Sequence, residues 1–166
     1  MSSERLPRRG ALLALAAILG LGACGFQPVY APGAPARALR GRVAVVPPGT
    51  RVGFFFAARV EERLGRAETA EFRLGATIRQ DVRELTLTGT GGRERVAFEG
   101  VAEYRLRGPD GRVLTSGRVD AFTSFSDVGT PVATRTARRD AQRRLAELLA
   151  DRVVEDLLVT APGWLP

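Results

Sequence analysis

From residue 42 onward the apolar positions change their spacing several times, and each change marks an element. Arg42-Val43-Ala44-Val45-Val46 is a short β-branched run closed by Pro47-Pro48-Gly49, which predicts a first strand. Beyond Thr50, a candidate N-cap, Phe56, Val60 and Leu64 recur every fourth residue. Arg59, Glu62, Arg63 and Arg66 lie elsewhere around the wheel, so an amphipathic helix ends near Gly65. The period then drops to two. Phe72, Leu74, Ala76 and Ile78 alternate with Arg73, Thr77 and Arg79, and further on Leu85 and Leu87 alternate with Glu84, Thr86 and Thr88. The parity change between Ile78 and Leu85 predicts a bulge near Asp81–Arg83, because one residue reverses the faces of a strand.

Gly89-Thr90-Gly91-Gly92 turns the chain into a second long run. Here Val96, Phe98, Ala102, Tyr104 and Leu106 share a face, opposite Arg95, Glu99, Glu103, Arg105 and Arg107. Pro109-Asp110-Gly111 reads as a tight turn. The last strand carries Val113, Val119, Ala121 and Phe125 on one side and Ser116, Arg118, Asp120 and Ser124 on the other. Thr130-Pro131 then opens a long helix running to near Val159. Its stripe is Ala137, Ala141, Leu145, Leu148, Val153 and Leu157, with Arg135, Arg138, Arg139, Arg143 and Arg144 on the far side. The order β-α-β-β-β-α predicts an α+β, two-layer sandwich, with two helices packed on one face of a mostly antiparallel four-stranded sheet. The other sheet face is polar-mixed and free for solvent or a partner.

The N-terminal segment follows different rules. Arg5, Arg8 and Arg9 precede an apolar run, Ala11 to Leu21. As a helix that run reaches about 16 Å, half of a hydrocarbon core of about 30 Å, so it suits a secretory h-region rather than a membrane span. Leu21-Gly22-Ala23-Cys24 resembles the bacterial lipobox, in which the cysteine thiol receives a diacylglycerol and the preceding peptide is removed. This divides the chain into a signal peptide (1–23), a lipidated flexible tether rich in Pro, Gly and Ala (24–41), the α+β domain (42–160) and a C-terminal tail (161–166). Several acyl chains together anchor firmly where one binds marginally. Gly25 after the cysteine, rather than Asp, favours the outer membrane.

Composition narrows the chemistry. The chain of 166 residues has 25 basic side chains, every one an arginine, against 18 acidic ones, and it has no histidine and a single cysteine. A Ser-His-Asp triad, a Cys-His pair, a histidine metal site, a lysine Schiff base and an intrachain disulfide are all excluded. Glu61 and Glu62 diverge around a helix and Asp110 sits in a turn, so no paired carboxylates announce a hydrolase. The expectation is a protein that is not an enzyme and has no cofactor beyond the lipid on Cys24.

Cys24-Gly25-Phe26-Gln27-Pro28-Val29-Tyr30, the short strand ending at Pro47, the amphipathic helix, the meander and the long final helix together resemble the LPS-assembly lipoprotein family LptE, most of all its alphaproteobacterial branch. The resemblance implies helices packed on a four-stranded sheet. It also implies a lipoprotein of the cell outer membrane that plugs and helps assemble the LptD-type β-barrel, the translocon that places lipopolysaccharide in the outer leaflet. Partners would be that barrel, lipopolysaccharide and the outer membrane. Phosphates and acidic sugars suit guanidinium forks. Arg79, Arg83, Arg93 and Arg95 lie around the turn joining the second and third strands and are candidate contacts for an anionic glycolipid, or simply solvated residues of an exposed strand face. Another outer-membrane lipoprotein, a periplasmic adaptor or assembly factor binding through the free sheet face, is the alternative. Nucleic acid is not an expected partner, since Glu147, Asp151, Glu155 and Asp156 dilute the basic helix face and stacking aromatics are missing from it.

Overall fold

The computed structural model describes residues 35–86, 94–126 and 130–165, with the side chains of 36–83, 95–126 and 130–165. The signal peptide, the lipobox with Cys24, the Gly89–Gly92 turn and Arg93 lie outside the described residues. In chain order the elements are α1 (Pro35–Leu39), β1 (Val43–Val46), α2 (Arg51–Leu64), β2 (Phe72–Thr86), β3 (Glu94–Arg107), β4 (Val113–Ser126) and α3 (Pro131–Thr160), followed by a short 3-10 turn, Ala161–Gly163. The four strands form one sheet in the order β1-β2-β3-β4. The β1–β2 pair is parallel and the other two pairs are antiparallel. A strand, a crossover helix and a neighbouring strand require that parallel pair, so the sheet is mixed.

Local chemistry explains the boundaries. The Gly53 N–H donates to Thr50 Oγ1 at 3.0 Å, capping α2, and Gly65 ends it. The tether assigned to 24–41 stops earlier than its composition suggests. Residues 35–39 are helical, and Ala36 and Leu39 are buried. The Gly41 N–H donates to the Leu64 carbonyl at 2.8 Å, tying this turn to the end of α2. An apolar leucine among alanines and prolines has a place in the core, which outweighs the loop-like composition around it.

No bulge interrupts Asp81–Arg83. The β2–β3 ladder is continuous from Arg73↔Arg107 to Thr86↔Glu94. Val82 is exposed there, so its own side chain sets no parity and the strand runs straight through. The irregularity lies instead at the other end of β3, where Leu106 pairs with Thr115 but Arg107 with Val113. That slip turns Val113, expected on the core side, to the polar face, where it is 46% exposed.

The core fills the space between the sheet and the two long helices. Phe56, Val60 and Leu64 of α2 share one buried cluster with Leu74, Phe98, Tyr104 and Leu106 of the sheet; α2 packs on α3 and β1, and α3 covers β3 and β4. In α3 the stripe is Ala141, Leu145, Leu149, Val153 and Leu157, every fourth residue, flanked by Ala146, Ala150 and Val154. Leu148, expected in that stripe, is 43% exposed, being about 100° around the helix from Leu149. Gly100 lets α3 come close, since a Cβ there would lie 2.9 Å from Leu145 Cδ2 and 3.1 Å from Leu149 Cδ1. Asp151 accepts from Arg59 at 3.0 and 3.1 Å and from Arg63 at 2.7 Å, joining α3 to α2. On the outer edge of β4, Arg152 and Arg144 of α3 donate to the carbonyls of Asp120 and Ser124, covering an edge that could otherwise template strand addition.

Candidate functional site

The helices leave one side of the sheet open, and the alternation of the strands decides what stands on it. Even positions of β2 and β3 enter the core, so the odd positions face outward. Arg79, Arg83 and Arg95 therefore share the open face. Arg83 stands opposite Ala97, two residues from Arg95, which makes Arg83 and Arg95 diagonal neighbours. Arg79 is four residues away along the strand, about 13 Å.

Two of these three guanidinium groups are already partnered. Arg83 Nε lies 3.1 Å from Glu99 Oε2 and Arg79 Nη1 lies 3.5 Å from Glu103 Oε1. Glu103 also meets Arg118 Nη1 at 4.0 Å. Among the described residues, Arg95 has no acidic partner. The distal half of the open face thus carries arginines and carboxylates in cross-strand exchange.

The proximal half differs. Arg73 at the start of β2 stands directly opposite Arg107 at the end of β3, and Arg105 stands opposite Gly75. Among the described residues none of the three has an acidic partner, and Arg107 donates only to the Gly111 carbonyl at 3.0 Å. The missing side chain at Gly75 opens the surface beside them. A broad concavity of about 640 Å³ runs between Arg73, Arg105, Arg107 and Arg118. Sequence reasoning placed Arg105 and Arg107 on the polar face but did not single them out. Which arginine meets a carboxylate depends on cross-strand register, and residue spacing does not reveal it.

Other ionisable groups join the elements of the scaffold. The Tyr104 hydroxyl donates to Asp156 Oδ2; burial, and then that bond, push its pKa above the usual tyrosine range. Arg42 donates through Nε and Nη2 to the Glu71 carboxylate, holding its pKa below the ordinary value, and the same guanidinium lies over the Phe72 ring at 5.5 Å. Trp164 packs edge-on against Phe72 with centroids 6.1 Å apart and donates to Thr160 Oγ1, so this aromatic is docked on the body. Among the described residues no group of acidic or sulfur ligands converges to hold a metal ion, and no helix there is long and apolar enough to cross a membrane.

Solved structures share the fold. A Caulobacter crescentus protein described as a lipoprotein superposes with a TM-score of 0.67 at 20% identity, covering 80% of this chain and 99% of its own. A minor lipoprotein from Acinetobacter baumannii scores 0.54 at 12% identity, covering 73% of this chain and 92% of its own. The rare lipoprotein B from Shewanella oneidensis scores 0.54 at 13% identity, covering 74% and 96%. No curated protein sequence matches the chain. The Lipopolysaccharide-assembly family LptE matches residues 40–157, from the end of α1 to the last turns of α3. With that match spanning well over half of the chain, the chain belongs to the lipopolysaccharide-assembly lipoprotein family LptE.

Proposed function

We propose that this protein is exported, lipidated on Cys24 and held at the outer membrane, where it plugs and helps assemble an LptD-type β-barrel that delivers lipopolysaccharide to the outer leaflet. The observation that carries the reading is the LptE match across residues 40–157. The shape is consistent with it. A single core gives a small rigid body, and the open sheet face and outer helix faces are rich in charged side chains, as a hydrophilic barrel lumen favours, with Phe54 and Phe122 standing exposed among them. We assign the protein a binding and assembly role, with no catalysis and no cofactor.

On this reading Arg79, Arg83, Arg93 and Arg95 remain candidate contacts for phosphates or acidic sugars. Arg95, which has no acidic partner among the described residues, would bind directly, whereas Arg79 and Arg83 would exchange Glu103 and Glu99 for the ligand. Such an exchange is inexpensive, because exposed ion pairs contribute only about 0–1 kcal/mol. Affinity purification of the tagged protein from detergent-solubilised outer membrane tests the partnership. Recovery of an LptD-type barrel is expected, and its consistent absence overturns the reading. Intact-mass analysis of the membrane fraction tests the anchor: a chain starting at Cys24, with a diacylglycerol on the thiol and an acyl group on the new amino terminus, is expected. Replacing the four arginines with Gln should weaken lipopolysaccharide binding, and unchanged affinity removes them from the contact set.

A further inference from the structure

We propose that the end of the body where the chain arrives from its N-terminal segment is a docking face for an anionic phospholipid surface. The inference rests on the lipid anchor at Cys24 proposed above and extends it from a single attachment point to a second, electrostatic contact.

The ladders gather the first residues of β1 and β2 and the last of β3 at one end of the sheet. Leu39 and Gly41 bond into the same end, which places α1 there as well. Five exposed arginines belong to it: Arg37 and Arg40 in and after α1, and Arg73, Arg105 and Arg107 on the open face. Among the described residues none of the five has an acidic partner. Of the nearby carboxylates, Glu71 lies on Arg42, Asp110 beside Arg112, and Glu103, which lines the same concavity, beside Arg79 and Arg118; Glu68 is exposed.

This arrangement works against the fold's own stability. Arg73 and Arg107 are direct cross-strand neighbours, and like charges in that position repel. Elsewhere on the same face arginines alternate with glutamates. Unrelieved repulsion at one end points to an anion supplied from outside the chain. The five side chains spread over α1 and the sheet face around an open concavity, which suits a planar field of headgroups better than one enclosed phosphate.

Chain geometry supplies the location of that field. Eleven residue steps separate Cys24 from Pro35, and no conformation of that segment spans more than about 40 Å. A lipidated Cys24 therefore keeps this end within about 40 Å of the bilayer surface. Basic side chains near an anionic leaflet strengthen partition by about fivefold each at low salt, decaying over a Debye length of about 8–10 Å. An acyl anchor joined to a basic patch is the two-signal arrangement that holds a peripheral protein in place and orients it.

The test uses the full chain carrying Cys24→Ser, so that body charge is read without the lipid. Cosedimentation is measured with vesicles of phosphatidylcholine alone and with vesicles containing phosphatidylglycerol. Stronger binding to the anionic vesicles, weakened about tenfold or more by Arg73→Gln, Arg105→Gln and Arg107→Gln together, is expected. A charge-matched set far from this end, Arg51→Gln, Arg135→Gln and Arg139→Gln, should weaken binding much less, and circular dichroism confirms that both sets fold. Equal losses from the two sets, or no preference for anionic vesicles, overturn the proposal. So does displacement by inorganic phosphate that chloride of equal ionic strength does not reproduce, which reveals a discrete phosphate pocket. Intact mass at Cys24 is read separately on the unsubstituted chain. An unlipidated product with vesicle preference retained refutes the anchor but keeps the docking face, and the opposite result does the reverse.

Discussion

Gly75 and Gly100 lie on adjacent strands, five registered pairs apart, yet on opposite sides of the sheet. A Cβ at Gly100 would press into Leu145 and Leu149, whereas one at Gly75 would meet nothing within 4 Å. The contrast holds for the whole molecule. On the covered face, shape is tightly specified and charge is nearly absent. On the open face, shape is loosely specified and charge is patterned. Folding free energy resides on the first side and recognition is free to evolve on the second, because substitutions on an unpacked polar surface usually shift stability by only about 0.5 kcal/mol.

Neighbouring leucines of α3 give the sharpest break of this comparison. Leu149→Ala removes a fully buried side chain and should cost about 2–5 kcal/mol in chemical denaturation. Leu148→Ala, one residue away and largely solvent-facing, should cost under about 1 kcal/mol. Similar losses would show that the two faces of the helix are not energetically distinct. The glycine pair comes next. Gly100→Val overpacks the interface with α3 and should destabilise by about 1–3 kcal/mol. Gly75→Val adds a β-branched residue in open space and should be neutral or slightly stabilising, measured in the same denaturation series.

The same asymmetry explains what was legible in the sequence. Covered elements announce themselves: the four-residue spacing of Phe56, Val60 and Leu64, the Thr50 cap, and the alternation through Phe98, Ala102 and Tyr104 are consequences of burial on one side. Reading failed where burial is absent or ambiguous. The parity change after Ile78 predicts a bulge, but Val82 is exposed and the β2–β3 ladder runs through that point without one. Leu39 looked like tether because its neighbours do. Leu148 and Leu149 both fit an apolar stripe, and only packing chooses between them. The candidate site was legible as a set of outward arginines but not as two halves. Whether Arg83 finds Glu99, or Arg73 finds only Arg107, is decided by register between strands distant in sequence.

Tyr104 tests the boundary between the faces, since its ring is buried while its hydroxyl reaches Asp156. Tyr104→Phe should cost about 1 kcal/mol near neutral pH through the lost hydrogen bond. Its pH dependence carries a definite sign. Burial raises the folded-state pKa above the ordinary value of about 10. The stability tied to the neutral phenol is thus fully present below that value and declines as pH rises beyond it, where the unfolded chain releases the proton and the native state does not. The wild-type protein should lose stability in that alkaline window more steeply than the Phe variant. Parallel curves for the two would remove Tyr104 from the linkage.

Ion pairs give the smallest effect and the finest discrimination between the faces. Arg59 grips Asp151 with two parallel bonds between packed helices, both side chains less than one-third exposed. Arg83 and Glu99 form a single contact at 3.1 Å between side chains 67% and 45% exposed. A bidentate, partly desolvated pair keeps more of its Coulomb energy and loses less side-chain freedom than a solvated one. Double-mutant cycles should therefore give a coupling of about 1 kcal/mol for Arg59–Asp151, reduced by the second donor Arg63, and about 0–0.5 kcal/mol for Arg83–Glu99. Added salt should erase the second coupling and leave most of the first, because screening acts chiefly on solvent-exposed charges. A near-zero coupling on the open face is also what an exchangeable glycolipid contact needs: Arg83 can leave Glu99 for a stronger anion at almost no cost to the fold. A large, salt-resistant coupling there would mean that Arg83 is committed to holding the sheet together and unavailable to any ligand.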